Sequence, residues 1–244
     1  MEKQTQTRKL TIEERRQLIY RHLCQASYLE ANKKYAEEEK VLLKIVEMSE
    51  QVFQETFSNN DKNALIKHYI AISNFYNTIK KDTEKVLEWY SKIIQVMTPS
   101  LGKYTSDKEY QQLLNWYIKV INILMEQKKY DAIVQKGLQM KKVSNILYKQ
   151  SPTTENMRMN VLSKLYLAGA YDELNHSIKS YVNYHSAIRK MNALYRETND
   201  EGIKYDLLSI YDRVIELTKK PLLKLFHNKW IIKKSALEES QNDK

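Results

Sequence analysis

Five histidines, His22, His68, His176, His185 and His227, and one cysteine, Cys24, are the side chains best suited to hold a metal or attack a substrate. A metal needs ligands spaced to converge, as in HExxH, and none of the five stands in such a pattern. His22 and Cys24 are two residues apart, which on a helix turns them to different faces. Cys24 follows Leu23 on an apolar stripe, so a core thiol is expected rather than a nucleophile. Glu37-Glu38-Glu39 opens a helix, where negative charge complements the dipole, so solvated carboxylates are expected there rather than an acid/base pair. The four glycines, at 102, 137, 169 and 202, are isolated, which leaves no phosphate-cradling loop. No catalytic residue, metal or cofactor is expected.

The lysines offer a different chemistry. Forty Lys and Arg against thirty Asp and Glu leave a formal charge of +10, and residues 128–200 carry an excess of six. Only eight of the forty are Arg, and specific phosphate and base recognition favours the planar Arg fork. Lys128, Lys129, Lys136, Lys141, Lys142 and Lys149 meet a single acid, Asp131, over that stretch. A second basic run adds Lys224, Lys229, Lys233 and Lys234 beside Lys219 and Lys220. With Leu222, Phe226 and Trp230 at four-residue spacing, residues 221–234 read as a basic amphipathic helix. Its bland role is a cap in which those three side chains close the last hairpin. Its alternative role is contact with anionic lipid, nucleic acid or a partner groove.

The elements that position these residues are helices. Four Gly and three Pro in 244 residues are too few for sandwiches, barrels or propellers. Apolar residues recur at helical spacing, as in Leu65, Tyr69, Ile72, Tyr76 and Ile79, then Val86, Leu87, Tyr90, Ile93, Ile94 and Met97. Similar short segments mark the turns: Lys33-Lys34-Tyr35, Lys80-Lys81-Asp82-Thr83, Lys128-Lys129-Tyr130 and Gly169-Ala170-Tyr171, with a weaker one at Lys219-Lys220-Pro221. From Tyr35 to Thr83, Tyr130, Tyr171 and Pro221 the intervals are 48, 47, 41 and 50, a period of stacked helical repeats. Ser58-Asn59-Asn60-Asp61, Thr98-Pro99-Ser100-Leu101-Gly102, Ser151-Pro152-Thr153-Thr154-Glu155 and Thr198-Asn199-Asp200 punctuate the junctions with capping oxygens and prolines. Five antiparallel hairpins are expected, roughly 12–57, 61–98, 106–149, 153–197 and 200–238, as one domain between a flexible start (1–11) and a polar tail (239–244). The start MEKQTQTRKLTIEERRQL has no apolar run and is not expected to be a signal or transit peptide, and no apolar stretch is long enough to span a bilayer. One cysteine and no leader point to a cytoplasmic location.

The segment from Ile72 through Trp89-Tyr90 to Pro99 resembles a tetratricopeptide (TPR) repeat, as do Ala26 … Tyr35 … Ile45, Leu124 … Tyr130 … Ile133 and Leu165 … Tyr171 … Leu174. The likeness covers residues 12–190 best. The period is longer than the family's 34, and the small residue present as Ala26 and Ser73 becomes Ile121 and Leu162. The resemblance implies an all-α, right-handed α-solenoid whose first helices line a concave face. Aligned on the turn markers, that face receives Lys67, Ile70, Asn74 and Asn77, then Asn115, Ile118, Asn122 and Met125, then Asn156, Met159, Ser163 and Tyr166. An Asn amide carries both donors and an acceptor and can grip a peptide backbone whatever its side chains. The family's carboxylate clamp needs Lys where this chain has Ile70 and Ile118. The expected function is a non-catalytic protein- or peptide-binding scaffold. The alternatives are a nucleic-acid adapter using the Lys-rich face, and a peptide-sensing regulatory domain without its own DNA-binding module.

Overall fold

The computed structural model describes residues 10–98 and 105–239. The expected loop at Pro99–Gly102, most of the flexible start and most of the polar tail lie outside them. Among the described residues there is no strand, and the helices follow one another as α1 (Ile12–Ala31), α2 (Tyr35–Thr56), α3 (Asn59–Phe75), α4 (Thr83–Met97), α5 (Asp107–Glu126), α6 (Tyr130–Gln150), α7 (Thr154–Glu173), α8 (Ser177–Thr198), α9 (Glu201–Thr218) and α10 (His227–Glu239). They form two compact units, α1–α4 and α5–α10. Within each unit every helix packs on the one before it.

Capping fixes where helices begin. Thr11 and Ser106 make reciprocal capping boxes with Glu14 and Glu109. Ser58, Asp82, Thr153 and Asp200 accept from the first-turn N–H groups of α3, α4, α7 and α9. Inside the first four hairpins a left-handed residue reverses the chain: Lys33, Lys81, Lys128 and Asn175. Their intervals are 48 (33 to 81), 47 (81 to 128) and 47 (128 to 175). The expected fourth marker was therefore misplaced. Gly169, Ala170 and Tyr171 belong to α7, and the turn lies at Asn175, which removes the irregular interval of 41.

The register of the core follows these turns. Buried Leu65, Tyr69, Ile72 and Ser73 on α3 correspond, 48 residues on, to buried Leu113, Tyr117, Val120 and Ile121 on α5. The turn residues 81 and 128 are only 47 apart. The extra residue is held in a π-helical turn, Tyr76–Lys80, where the Lys81 N–H reaches back to the carbonyl of Tyr76. Counting from the turns also corrects the small-residue position: the residue of α7 equivalent to Ala26, Ser73 and Ile121 is buried Ala168, not Leu162.

Three further expectations change. Cys24 is exposed, because the buried stripe of α1 runs through Ile19, Ala26 and Leu29 and passes it by. The acidic run at 37–39 is not uniformly solvated. Glu38 is buried with its Oε2 unpartnered, and burial raises its pKa, whereas Glu39 pairs with Lys80 at 2.6 Å and accepts from the Tyr76 hydroxyl. Residues 221–234 are not one helix. Pro221–Phe226 is a 3₁₀ segment, and α10 starts only at His227. The tighter winding buries Leu223 in place of Leu222, which is 75% exposed, while Phe226 stacks on Tyr181 and Trp230 is fully buried against Tyr181, His185 and Tyr211.

The cap is thus carried by Trp230 rather than by the 222/226/230 row. Trp230→Ala should cost about 3–5 kcal/mol of stability, and Leu222→Ala within about 0.5 kcal/mol, in urea unfolding followed by circular dichroism.

Candidate functional site

The expected face divides in two ways. On α3, Lys67 and Asn74 are exposed and Ile70 is half-buried, and Asn77 is exposed in the π-helical turn that follows; on α5, Asn115, Asn122 and Met125 are exposed and Ile118 is half-buried. Ile70 and Ile118, and Asn74 and Asn122, are register equivalents across the 48-residue offset. The amides of Asn74, Asn77 and Asn115 hold no hydrogen bond to another described residue. Asn122 accepts from the Tyr166 hydroxyl at 2.9 Å, which joins α5 to α7 in one surface.

The α7 contribution needs correction. Asn156 and Ser163 are buried and face inward. The Asn156 amide donates to the carbonyl of Ser151 and accepts from Gln111, while Ser163 donates to the carbonyl of Asn160 and accepts from Ser144. Met159 and Tyr166 are half-buried. The misplaced marker is the cause. Counting 47 from α5, the α7 equivalents of Ile118 and Asn122 are Leu165 and Gly169.

The basic residues are similarly sorted. Lys128, Lys129, Lys142 and Lys149 are exposed, whereas Lys136 and Lys141 are half-buried, and burial lowers the Lys136 pKa. Lys141 donates to the Asn183 side chain. In the C-terminal run, Lys224 and Lys229 are exposed, Lys233 lies 4.9 Å over the Trp230 ring, Lys220 pairs with Asp172, and Lys234 pairs with Asp212 at 2.7 Å. A cavity of about 690 Å³ between α8, α9 and α10 is lined by Arg189, Arg196, Lys233, Tyr211 and Trp230 among others. Among the described residues no three His, Cys, Asp or Glu side chains converge as a metal site, and no helix is long and apolar enough to cross a membrane.

A second constellation escaped the sequence analysis. Buried Asn160 and Lys164 on α7 stand at the core positions held elsewhere by Leu65, Leu113 and Leu207 and by Tyr69, Tyr117 and Tyr211. Lys164 donates to the Asn160 side-chain oxygen at 2.9 Å, and Lys190 of α8 donates to the same oxygen at 2.6 Å. The Asn160 amide donates to Asn145 and Ser144 of α6. Lys190 also lies 4.4 Å over the Tyr148 ring. Burial lowers the Lys164 pKa to about 7, and Lys190, Lys141 and Arg189 push it the same way. Counting on the turn residues is the signal that finds this cluster.

No profile of a known protein family matches the chain, and no curated protein matches it in sequence. Its fold does match solved structures. Apo RapI superposes with a TM-score of 0.53 at 12% identity over 95% of this chain and 55% of RapI, so the chain spans little more than half of that relative. BtubC (BKLC) from P. vanneervenii gives 0.52 at 11% identity, covering 95% of this chain and 88% of that one. A Podosopora anserina putative kinesin light chain with nearly identical TPR-like repeats gives 0.51 at 11% identity, covering 94% and 98%. The fold is a TPR-like helical repeat. In its terms, Asn160 and Lys164 lie on the first helix of the fourth repeat, and Lys141 and Lys190 on the second helices of the third and fourth.

The depressed Lys164 pKa has a direction in stability. At and below about pH 7 both the folded and unfolded states hold the proton, and the folded state bears the whole cost of burying it. Between about 7 and the ordinary 10.5 only the unfolded state holds it, so stability rises with pH. Lys164→Met should therefore stabilise the protein most at pH 6.5 and progressively less toward pH 10, as read from urea midpoints across that range.

Proposed function

We propose that the protein is a non-catalytic scaffold that holds an extended segment of a partner protein against its first-helix faces. The reading is carried by one observation. Asn74 and Asn122, with Ile70 and Ile118 one turn before them, recur at equivalent register on exposed faces of α3 and α5. The Asn74 amide is free to donate to and accept from a peptide backbone, and the Asn122 amide keeps its donors beside the Tyr166 contact. Half-buried Ile70, on the same helix as Lys67, would seat an apolar side chain of a ligand on α3, and half-buried Ile118 would do so on α5. The TPR-like fold supports the reading in that α3 and α5 are each the first helix of a hairpin. Cytoplasmic placement belongs to the same proposal and rests on the single cysteine in 244 residues.

Each amide–backbone bond contributes about 1 kcal/mol net, so losing the one on the face that holds the peptide should weaken binding about fivefold. Peptides selected on the wild-type protein by display, then measured by fluorescence polarisation, should lose about that much affinity for the Asn74→Ala/Asn122→Ala double variant. Unchanged affinity, with helicity intact by circular dichroism, would sink the reading.

A further inference from the structure

Four positions around α7 break the pattern of the other repeats together. Counted on the turn residues, Lys141 stands where Val46, Ile94 and Ile188 stand, and Lys190 where Met48, Val96 and Val143 stand. Asn160 and Lys164 replace the repeated leucine and tyrosine, as above. All four converge at the junction of α6, α7 and α8.

The apolar solution exists at every one of these positions elsewhere in the same chain, so the fold does not demand lysines here. Burying like charges together is unfavourable unless something of opposite sign completes the site. The Lys164 and Lys190 ammonium groups share one oxygen at 2.9 and 2.6 Å, so they lie no further apart than the sum of those distances, 5.5 Å. Arg189, exposed on α8, adds a further positive charge acting on both. Among the described residues none of Lys141, Lys164, Arg189 or Lys190 has a carboxylate partner. Among the described residues, the Asn160 oxygen, the Asn183 oxygen and the Tyr148 ring compensate the lysines. Local rules broken in concert, without a carboxylate partner among the described residues, mark a functional site.

We propose that this cluster is a binding site for a phosphate-class oxyanion, approached from the surface between α6 and α8. Half-buried Lys141, Asn145 and Lys190 are the members of the cluster that reach solvent, and Lys164 is buried. Three lysines reaching in from three helices supply separated point charges around a centre. That arrangement suits a tetrahedral dianion better than a planar carboxylate, which the Arg fork serves. The proposal concerns the α6–α8 side and stands without the peptide-binding reading.

The test is a thermal unfolding titration of the full chain with sodium phosphate and with O-phosphoserine, against sodium chloride and serine at equal ionic strength and pH. A saturable rise in the unfolding midpoint, beyond that of chloride, is expected with at least one phosphate probe. A stronger response to inorganic phosphate assigns the site to a free ion, and a stronger response to phosphoserine to a phosphoryl group carried on protein. Lys164→Met and Lys190→Met, each at least as stable as the wild type in chloride, should weaken the apparent affinity at least tenfold. The Asn74→Ala/Asn122→Ala variant should keep the full response, which separates this site from the peptide face. No saturable rise with either probe, or an unchanged rise in both lysine variants, overturns the proposal.

Discussion

The contact on which the structure depends is a leucine and a tyrosine, four residues apart, buried on the first helix of a hairpin. Leu65 and Tyr69, Leu113 and Tyr117, and Leu207 and Tyr211 are each almost wholly removed from water. The tyrosine serves twice. Its ring fills the core, and its hydroxyl reaches the second helix of the preceding hairpin: Tyr69 donates to Glu50 on α2 at 2.7 Å, and Tyr211 accepts from Asn192 on α8 at 2.9 Å. A buried hydroxyl needs such a partner, so the pair fixes both the depth and the rotation of one hairpin on the next. Left-handed residues 47 or 48 apart set the register that places this pair alike in the second and third repeats.

Helices, their caps and the repeat were legible because periodicity and capping are local. Ser58, Thr153 and Asp200 lie within the segments whose composition marks helix starts. What failed depended on knowing where one helix stops. Tyr171 imitates the tyrosines that follow the earlier turns, yet α7 runs on past it to Glu173. That slip of a few residues rotated the whole α7 face, so buried Asn156 and Ser163 were read as exposed and Lys164 was overlooked. Leu222 failed for a related reason, since a helical spacing of four does not survive a 3₁₀ turn. Cys24 failed because a neighbour in sequence is not a neighbour on a helix surface.

The charge excess likewise separates into parts once packing is known. Some lysines are neutralised, as Lys220 by Asp172 and Lys234 by Asp212. Some remain in water, where solvent and salt leave little net effect. Lys164 sits against the core with no carboxylate partner among the described residues, and burial lowers its pKa to about 7. Lysine number is therefore a poor guide to the basic surface of this chain, and lysine register a good one.

The π-helical turn at Tyr76–Lys80 stores one residue of slack. Upstream of it α3 packs in the same register as α5, and downstream the chain turns at the standard interval. One extra residue is accommodated within a single turn of backbone, while Leu65, Tyr69 and Ile72 stay buried. Repeat length in such a chain is thus a soft parameter, while the phase of its buried side chains is a hard one. A lineage of these sequences can gain or lose residues at helix ends and still stack, which is how repeats can diverge beyond recognition by sequence while their architecture persists.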